Sequence, residues 1–156
     1  MTTTSTRRKK RFGRHRTRQV DAEDRQSVLE ALGDMPIRRD LLIEYLHKLQ
    51  DQYKHISAGH IVALADLMKL APAEIYEVAT FYHHFDVVAD GQPIPPVLTV
   101  RVCESVTCEL FGSELLVSSL QESLGDDVRV QRVPCVGRCD EAPVAVVGKN
   151  AIPRAT

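Results

Sequence analysis

Four cysteines in two close pairs concentrate the chemistry of this chain. Cys103 and Cys108 stand in RVCESVTCEL, Cys135 and Cys139 in RVPCVGRCDEAPV, and there are no other cysteines. The spacings are C-x4-C, a gap of about two dozen residues, then C-x3-C. Thiols confined to two pairs, each at the end of a short apolar run, most simply build one four-thiolate site. Disulfides would suit a secreted domain, and no secretory signal is read ahead of the pairs. Four cysteines often hold a structural zinc, but zinc knuckles set C-x2-C on a tight turn, so spacings of four and three are loose for one ion. A redox-active thiol pair, as in a thiol oxidoreductase, wants C-x-x-C, which is absent. An iron–sulfur cluster is held by thiolates and, being larger than one ion, tolerates wider ligand pairs. Spacing therefore favours iron–sulfur and leaves a zinc-stabilised interaction module open.

The flanking residues go further. The second pair lies in CVGRCDEAP, Cys135 to Pro143, which follows the pattern C-x-G-x-C-x-x-A-P. Upstream, VATFY, Val78 to Tyr82, follows V-x-T-F-Y at a helix end. In these motifs and in its C-x4-C the chain resembles the thioredoxin-like 2Fe–2S ferredoxins. These are the small flavoprotein-associated subunit of respiratory complex I and its relatives in NAD-reducing hydrogenases and NAD-dependent formate dehydrogenases. The resemblance covers roughly residues 22 to 156, with its specific motifs in the second half. It implies one 2Fe–2S cluster on Cys103, Cys108, Cys135 and Cys139, with FMN and NAD on a partner subunit or fused domain and not on this chain. It also implies one-electron exchange with that FMN within a larger oxidoreductase. The stretch FYHHFDVV and the short C-x4-C segment resemble the formate dehydrogenase branch most, with NADH:quinone oxidoreductase (complex I) or NAD-reducing hydrogenase as the alternative.

The elements that must position the cysteines follow from periodicity. Leu98, Val100 and Val102 alternate with Thr99 and Arg101, a strand that delivers Cys103. Leu116, Leu120 and Leu124 share one stripe of a helix from Ser113 to Leu124, with Gly125 as its stop. A second strand, Val128 to Val133, ends at Pro134 and Cys135, and Ala145 to Val147 forms a short third. Strand–helix–strand with a parallel pairing makes a βαβ unit and puts both cysteine pairs on loops at one end of the sheet. Gly137 is expected where backbone amides approach sulfur, with Pro134 and Pro143 stiffening the flanks. Glu104, Glu109, Asp140 and Glu141 crowd the same loops and either lower the potential of a cluster there or simply keep the rim soluble.

Residues 21–90 read as a small helical bundle. Asp21 and Asp24 cap a helix bearing Val28, Leu29 and Leu32, stopped by Gly33. A second helix runs from about Ile37 to Tyr53, with Leu42, Tyr45, Leu46, Leu49 and Tyr53 on one stripe. Ser57 caps a third, with Ile61, Leu64, Ala65 and Met68 inward. Pro72 opens a fourth, with Glu74 in its first turn and Ile75, Val78, Phe81 and Tyr82 inward. Tyr76, Phe81, Tyr82 and Phe85 nevertheless exceed the aromatic surface a small bundle can bury. Part of it is expected outside as a partner site anchored by Phe85, unless Phe81 and Phe85 are core. His83 and His84 follow at the helix C-terminus, where imidazolium suits the dipole; they read as structural or partner-facing.

The expected fold is α+β: a basic arm over 1–20, the bundle over 21–90, a Gly- and Pro-rich linker over 91–96, and a thioredoxin-like α/β domain over 97–156. That last domain stops before the helix with which the resembled family ends. Of 156 residues, 44% are hydrophobic and 5% aromatic, which suits an aliphatic core. The net charge of −1 hides an asymmetry: residues 1–20 hold eight Lys or Arg and no acid, leaving 12 basic against 21 acidic residues, a net of −9, in the rest. An arm so poor in apolar residues reads as a disordered tail. A basic tail on an acidic body does not read as a nucleic-acid domain. No run nears the roughly 18 apolar residues that span a bilayer, so no direct membrane contact and a cytoplasmic location are expected. With no nucleophile–base pair and no Gly-rich nucleotide loop, the chain is not expected to be catalytic alone.

Overall fold

The computed structural model describes residues 19–156. The arm expected over 1–20 lies, up to residue 18, outside the described residues. Four helices come first: α1 (Ala22–Leu32), α2 (Leu42–Tyr53), α3 (Ala58–Met68) and α4 (Pro72–Phe81). Asp21 caps α1 by accepting from the Glu23 N–H at 2.9 Å, and Gly33 closes it at a φ of 56° that favours glycine. Ser57 caps α3 through the His60 N–H at 3.0 Å, while His60 Nδ1 accepts the Ser57 N–H at 3.3 Å. Pro72 occupies the first turn of α4 and Glu74 reaches back to the Ala71 N–H.

These helices enclose one apolar core built on Val28, Tyr45, Leu46, Leu49, Leu64 and Ile75. Tyr45 is wholly buried, and its hydroxyl donates to the Pro36 carbonyl while accepting the Arg38 N–H. A buried Tyr needs such partners for its polar tip. The second helix differs from expectation at its start. Residues 39–41 form a 3₁₀ turn and the α-helix begins at Leu42, because Tyr45 ties residues 36–38 into an extended approach.

The end of α4 also departs from the helical reading. Tyr82 has extended backbone, so the periodicity stops at Phe81. Phe81 and Tyr82, expected inward, are 74% and 41% exposed, and Tyr76 is exposed as well. Phe85, expected to anchor an exposed patch, is 7% exposed and belongs to the helical core. The chain reverses after Tyr82, which turns the Phe85 ring back onto His47 of α2. Two-residue strands β1 (Ile56–Ser57) and β2 (Val87–Val88) then pair in parallel beside the helices.

Residues 89–97 carry no regular structure. Beyond them lie β3 (Leu98–Cys103), α5 (Val106–Leu110), α6 (Ser113–Ser123), β4 (Val128–Val133), β5 (Ala145–Val147) and β6 (Asn150–Ile152). The sheet order is β4-β3-β5-β6, with β3 and β4 parallel from Leu98↔Val128 to Cys103↔Val133. α6 ends at Ser123 with Leu124, not Gly125, as its cap. Val100, Val102, Leu116, Val117 and Ala145 form the core between α6 and the sheet. Alternation alone would leave Thr99 and Arg101 facing water, yet both are buried. Residues 83–86 lie across that face: Arg101 Nε donates to the His83 carbonyl at 2.7 Å, and its Nη2 donates to the His84 carbonyl at 3.2 Å. Among the described residues no helix is long and apolar enough to cross a membrane.

Candidate metal centre

Parallel pairing of β3 with β4 makes their C-terminal ends coincide, since Cys103 pairs with Val133 and the chain enters Pro134 and Cys135 directly afterwards. Cys103 is fixed on the central strand: its N–H donates to the Val144 carbonyl at 3.0 Å and the Glu104 N–H donates to the Val133 carbonyl at 2.9 Å. Cys108 sits on α5 and, with Cys103 and Val144, forms a small closed cluster. Cys135 and Cys139 lie on the exposed loop after β4, with their sulfurs 3.4 Å apart. The four predicted residues are thus gathered at one end of the sheet, two buried and two at the surface. Among the described residues no three His, Cys, Asp or Glu side chains are close enough to share a single metal ion. Two thiol pairs on adjacent loops suit a two-iron centre better than one tetrahedral zinc.

The electrostatics couple the two pairs, since Cys103 bears on Cys135 and Cys139 as well as on Cys108. Burial pushes the Cys108 thiol up, partly offset by its hydrogen bond with the Val144 backbone, and the Cys103 thiol beside it pushes the same way as burial. Cys135 is drawn below the ordinary thiol value, first by the Gly137 N–H, 3.4 Å from its sulfur, and then by Cys139. Cys139 is correspondingly raised by its hydrogen bond with Cys135. Backbone N–H groups aimed at sulfur favour the thiolate, the form that binds iron. Gly137 matters through its backbone conformation: its φ is 79°, while a Cβ there would meet nothing within 4 Å. The expected approach of a backbone amide to sulfur is thus present, and glycine serves it through its conformation.

Two residues of the loop escaped the sequence reading. Ser105 lowers the Cys135 thiol and Thr107 lowers the Cys139 thiol by hydrogen bonding, although both belong to the C-x4-C segment. The signal was their position inside C-E-S-V-T-C: once β3 and β4 are parallel, a hydroxyl in the first loop faces the second pair. Of the four loop acids, Glu104, Glu109 and Asp140 are exposed, and Glu141 pairs with Arg138. His84 is not a dipole-stabilised imidazolium. Burial first, then the nearby His47, Arg101 and Lys149, hold it below its ordinary value of 6.5.

A four-stranded mixed sheet with a parallel βαβ unit and four cysteines at its C-terminal edge defines a small thioredoxin-like iron–sulfur protein. The sequence model of the thioredoxin-like 2Fe-2S ferredoxins matches residues 28–156, and the chain belongs to that family. An NADH-quinone oxidoreductase subunit of Aquifex aeolicus is 30% identical over 137 residues, 82% of each chain. The NADP-reducing hydrogenase subunit HndA of Solidesulfovibrio fructosivorans is 25% identical over 134 residues, 80% of this chain and 75% of its own length. Among solved structures, the NAD+-reducing NiFe-hydrogenase in its H2-reduced state superposes with a TM-score of 0.58 at 22% identity, over 78% of this chain. That likeness concerns the fold alone, and the chain spans about a fifth (21%) of the hydrogenase chain. Family membership settles for one 2Fe–2S cluster the choice that spacing left open.

Proposed function

We propose that this chain is an electron-transfer subunit that holds its 2Fe–2S cluster on Cys103, Cys108, Cys135 and Cys139, next to a flavin- and NAD(H)-binding partner. The observation that carries this reading is the convergence of the two cysteine loops at one sheet edge, in a chain whose relatives are subunits of NADH-quinone oxidoreductase and NADP-reducing hydrogenase. When bound, the cluster supplies one-electron chemistry. The chain's own part is to hold the ligands. Cys103 is immobilised by ladder hydrogen bonds, Cys108 is shielded from water, and the Gly137 N–H favours the thiolate form of Cys135. The exposed pair leaves one edge of the site at the surface, where a redox partner can approach.

Within this class, NAD-dependent formate dehydrogenase is the parent complex we favour, on FYHHFDVV and the short C-x4-C segment. A cytoplasmic location agrees with that assignment. Anaerobically purified protein should be brown, with about two irons and two sulfides per chain and an EPR signal only after reduction. Replacing Cys135 with Ser should abolish or shift that signal. One zinc per chain with no sulfide would overturn the reading, and the flavoprotein that co-purifies would identify the parent complex.

A further inference from the structure

Beside the cysteine loops a cleft of roughly 930 Å³ opens between the end of α4 and the sheet face that carries Arg101 and Val146. Its volume is in the range of sites that accept a ligand or an inserted side chain. The walls are apolar, with Phe81, Tyr82, Val136 and Val146, and Cys135 lies at its rim. The polar lining is one-sided. His47, His83, His84, Arg101 and Lys149 contribute, and no Asp or Glu does. Two acids paired with these cations are engaged: Asp51 with Lys149 at 2.8 Å, and Asp86 with Arg101 and Arg129.

Two ring nitrogens are left over. His47 Nδ1 and His84 Nε2 are buried, with no hydrogen-bond partner among the described residues, and their rings lie 4.9 Å apart. A buried unpaired donor or acceptor is costly and marks a place where a partner atom belongs. The outer walls point the same way. Phe81 is 74% exposed and Tyr82 41%, stacked edge to face at 5.0 Å, an aromatic pair with nothing of its own chain to cover.

We propose that this cleft receives an acidic segment of the flavoprotein partner, an Asp or Glu carboxylate carried on an apolar or aromatic stretch. The inference rests on the electron-transfer reading above and deepens it. The carboxylate meets Lys149 and the two imidazoles, and the apolar flank covers Phe81 and Tyr82. Because Cys135 shares the rim, this contact also fixes the cysteine loop against the partner. The incoming negative charge would oppose the burial and the neighbouring His47, Arg101 and Lys149 that lower the proton affinity of His84.

The test uses the full chain in complex with the flavoprotein that co-purifies with it. Lys149→Glu reverses one exposed charge in the cleft, and Lys69→Glu makes the same change far from it, beside Asp66. Lys149→Glu should weaken the complex about tenfold or more, with Lys69→Glu close to wild type and iron content unchanged in both. Zero-length carbodiimide coupling should join Lys149 to a partner carboxylate, located by peptide mass spectrometry. Wild-type affinity in Lys149→Glu, coupling of Lys149 only to Asp51 within an intact complex, or coupling to a second copy of this chain would each overturn the proposal while leaving the electron-transfer reading standing. Failure of the wild-type chain to bind any flavoprotein overturns both.

Discussion

His60 shows how one side chain can serve a cap and a core at once. It is 6% exposed, accepts the Ser57 N–H at the start of α3, and lies against the Tyr53 ring at 4.8 Å. Burial is the main reason its imidazole titrates below the ordinary 6.5, only partly opposed by Asp24. The sign of the pH effect follows from linkage. The unfolded chain takes up this proton more readily than the folded one, so His60 costs nothing above about pH 6.5 and destabilises the fold progressively as pH falls below that value. Protonation would also remove the acceptor that closes the capping box. Urea midpoints should therefore fall between pH 7 and pH 5. His60→Gln, which can still accept but does not titrate, should flatten that slope, and an unchanged slope would place the dependence elsewhere, on His84 for instance, whose proton affinity is also lowered.

Among the elements, α1 and α3 meet closely at Gly59. A Cβ on Gly59 would fall 2.0 Å from Asp24 Oδ2, and Gly59 is buried, so alanine there must displace the Asp24 carboxylate or part the helices. Because the obstacle is the end of a half-buried side chain that can rotate, Gly59→Ala should cost no more than about 1 kcal/mol net of alanine's better helix propensity. Trimming Asp24 to Ala in the same chain should recover part of that loss, a coupling that a double-mutant cycle measures and whose absence would rule out the contact as cause. Gly59 was silent in the sequence, whereas its neighbours were legible. Leu42, Tyr45, Leu46 and Leu49 announce their stripe by spacing, and Ser57 and Pro72 announce helix starts by chemistry. The cysteine site was legible for a similar reason, because two alternating runs around one helix already imply adjacent strand ends. What could not be read depended on contacts rather than on period. The five residues of α5 are too few to show a phase, and β1 and β2 are two-residue strands drawn from positions about 30 apart. The inward assignment of Tyr82 extended a helical phase one step past the point where the backbone abandons it, while Phe81, the last helical residue, lies off the buried stripe of Ile75 and Ala79.

At the scale of the whole molecule, the helices and the sheet are tied by Asp86. Its carboxylate pairs with Arg129, lies 3.8 Å from Arg101, and accepts from Gln50 of α2 at 3.2 Å, while its own N–H donates to Gln50 at 2.9 Å. The Asp86 carbonyl accepts the Ile56 N–H at 2.8 Å, which joins β1 to the same knot. The Asp86 and Arg101 side chains are only 11% and 10% exposed. Burial lowers the proton affinity of Arg101 and the Asp86 charge is what opposes it. Removing one member of a buried pair leaves the other uncompensated, which costs more than the pair contributes. Asp86→Ala should therefore destabilise the chain by about 3 kcal/mol or more in urea unfolding. Salt should change the loss caused by Asp86→Ala little, since the pair is shielded from screening. The same residue sets where residues 83–84 lie on the sheet, because Arg101 holds their carbonyls. Loss of Asp86 should thus also loosen the wall that carries Phe81 and Tyr82, seen as faster amide exchange over residues 81–88 at temperatures where α6 remains protected. A loss below about 1 kcal/mol, with exchange unchanged over 81–88, would mean that the core contacts of Phe85 alone hold this segment to the body.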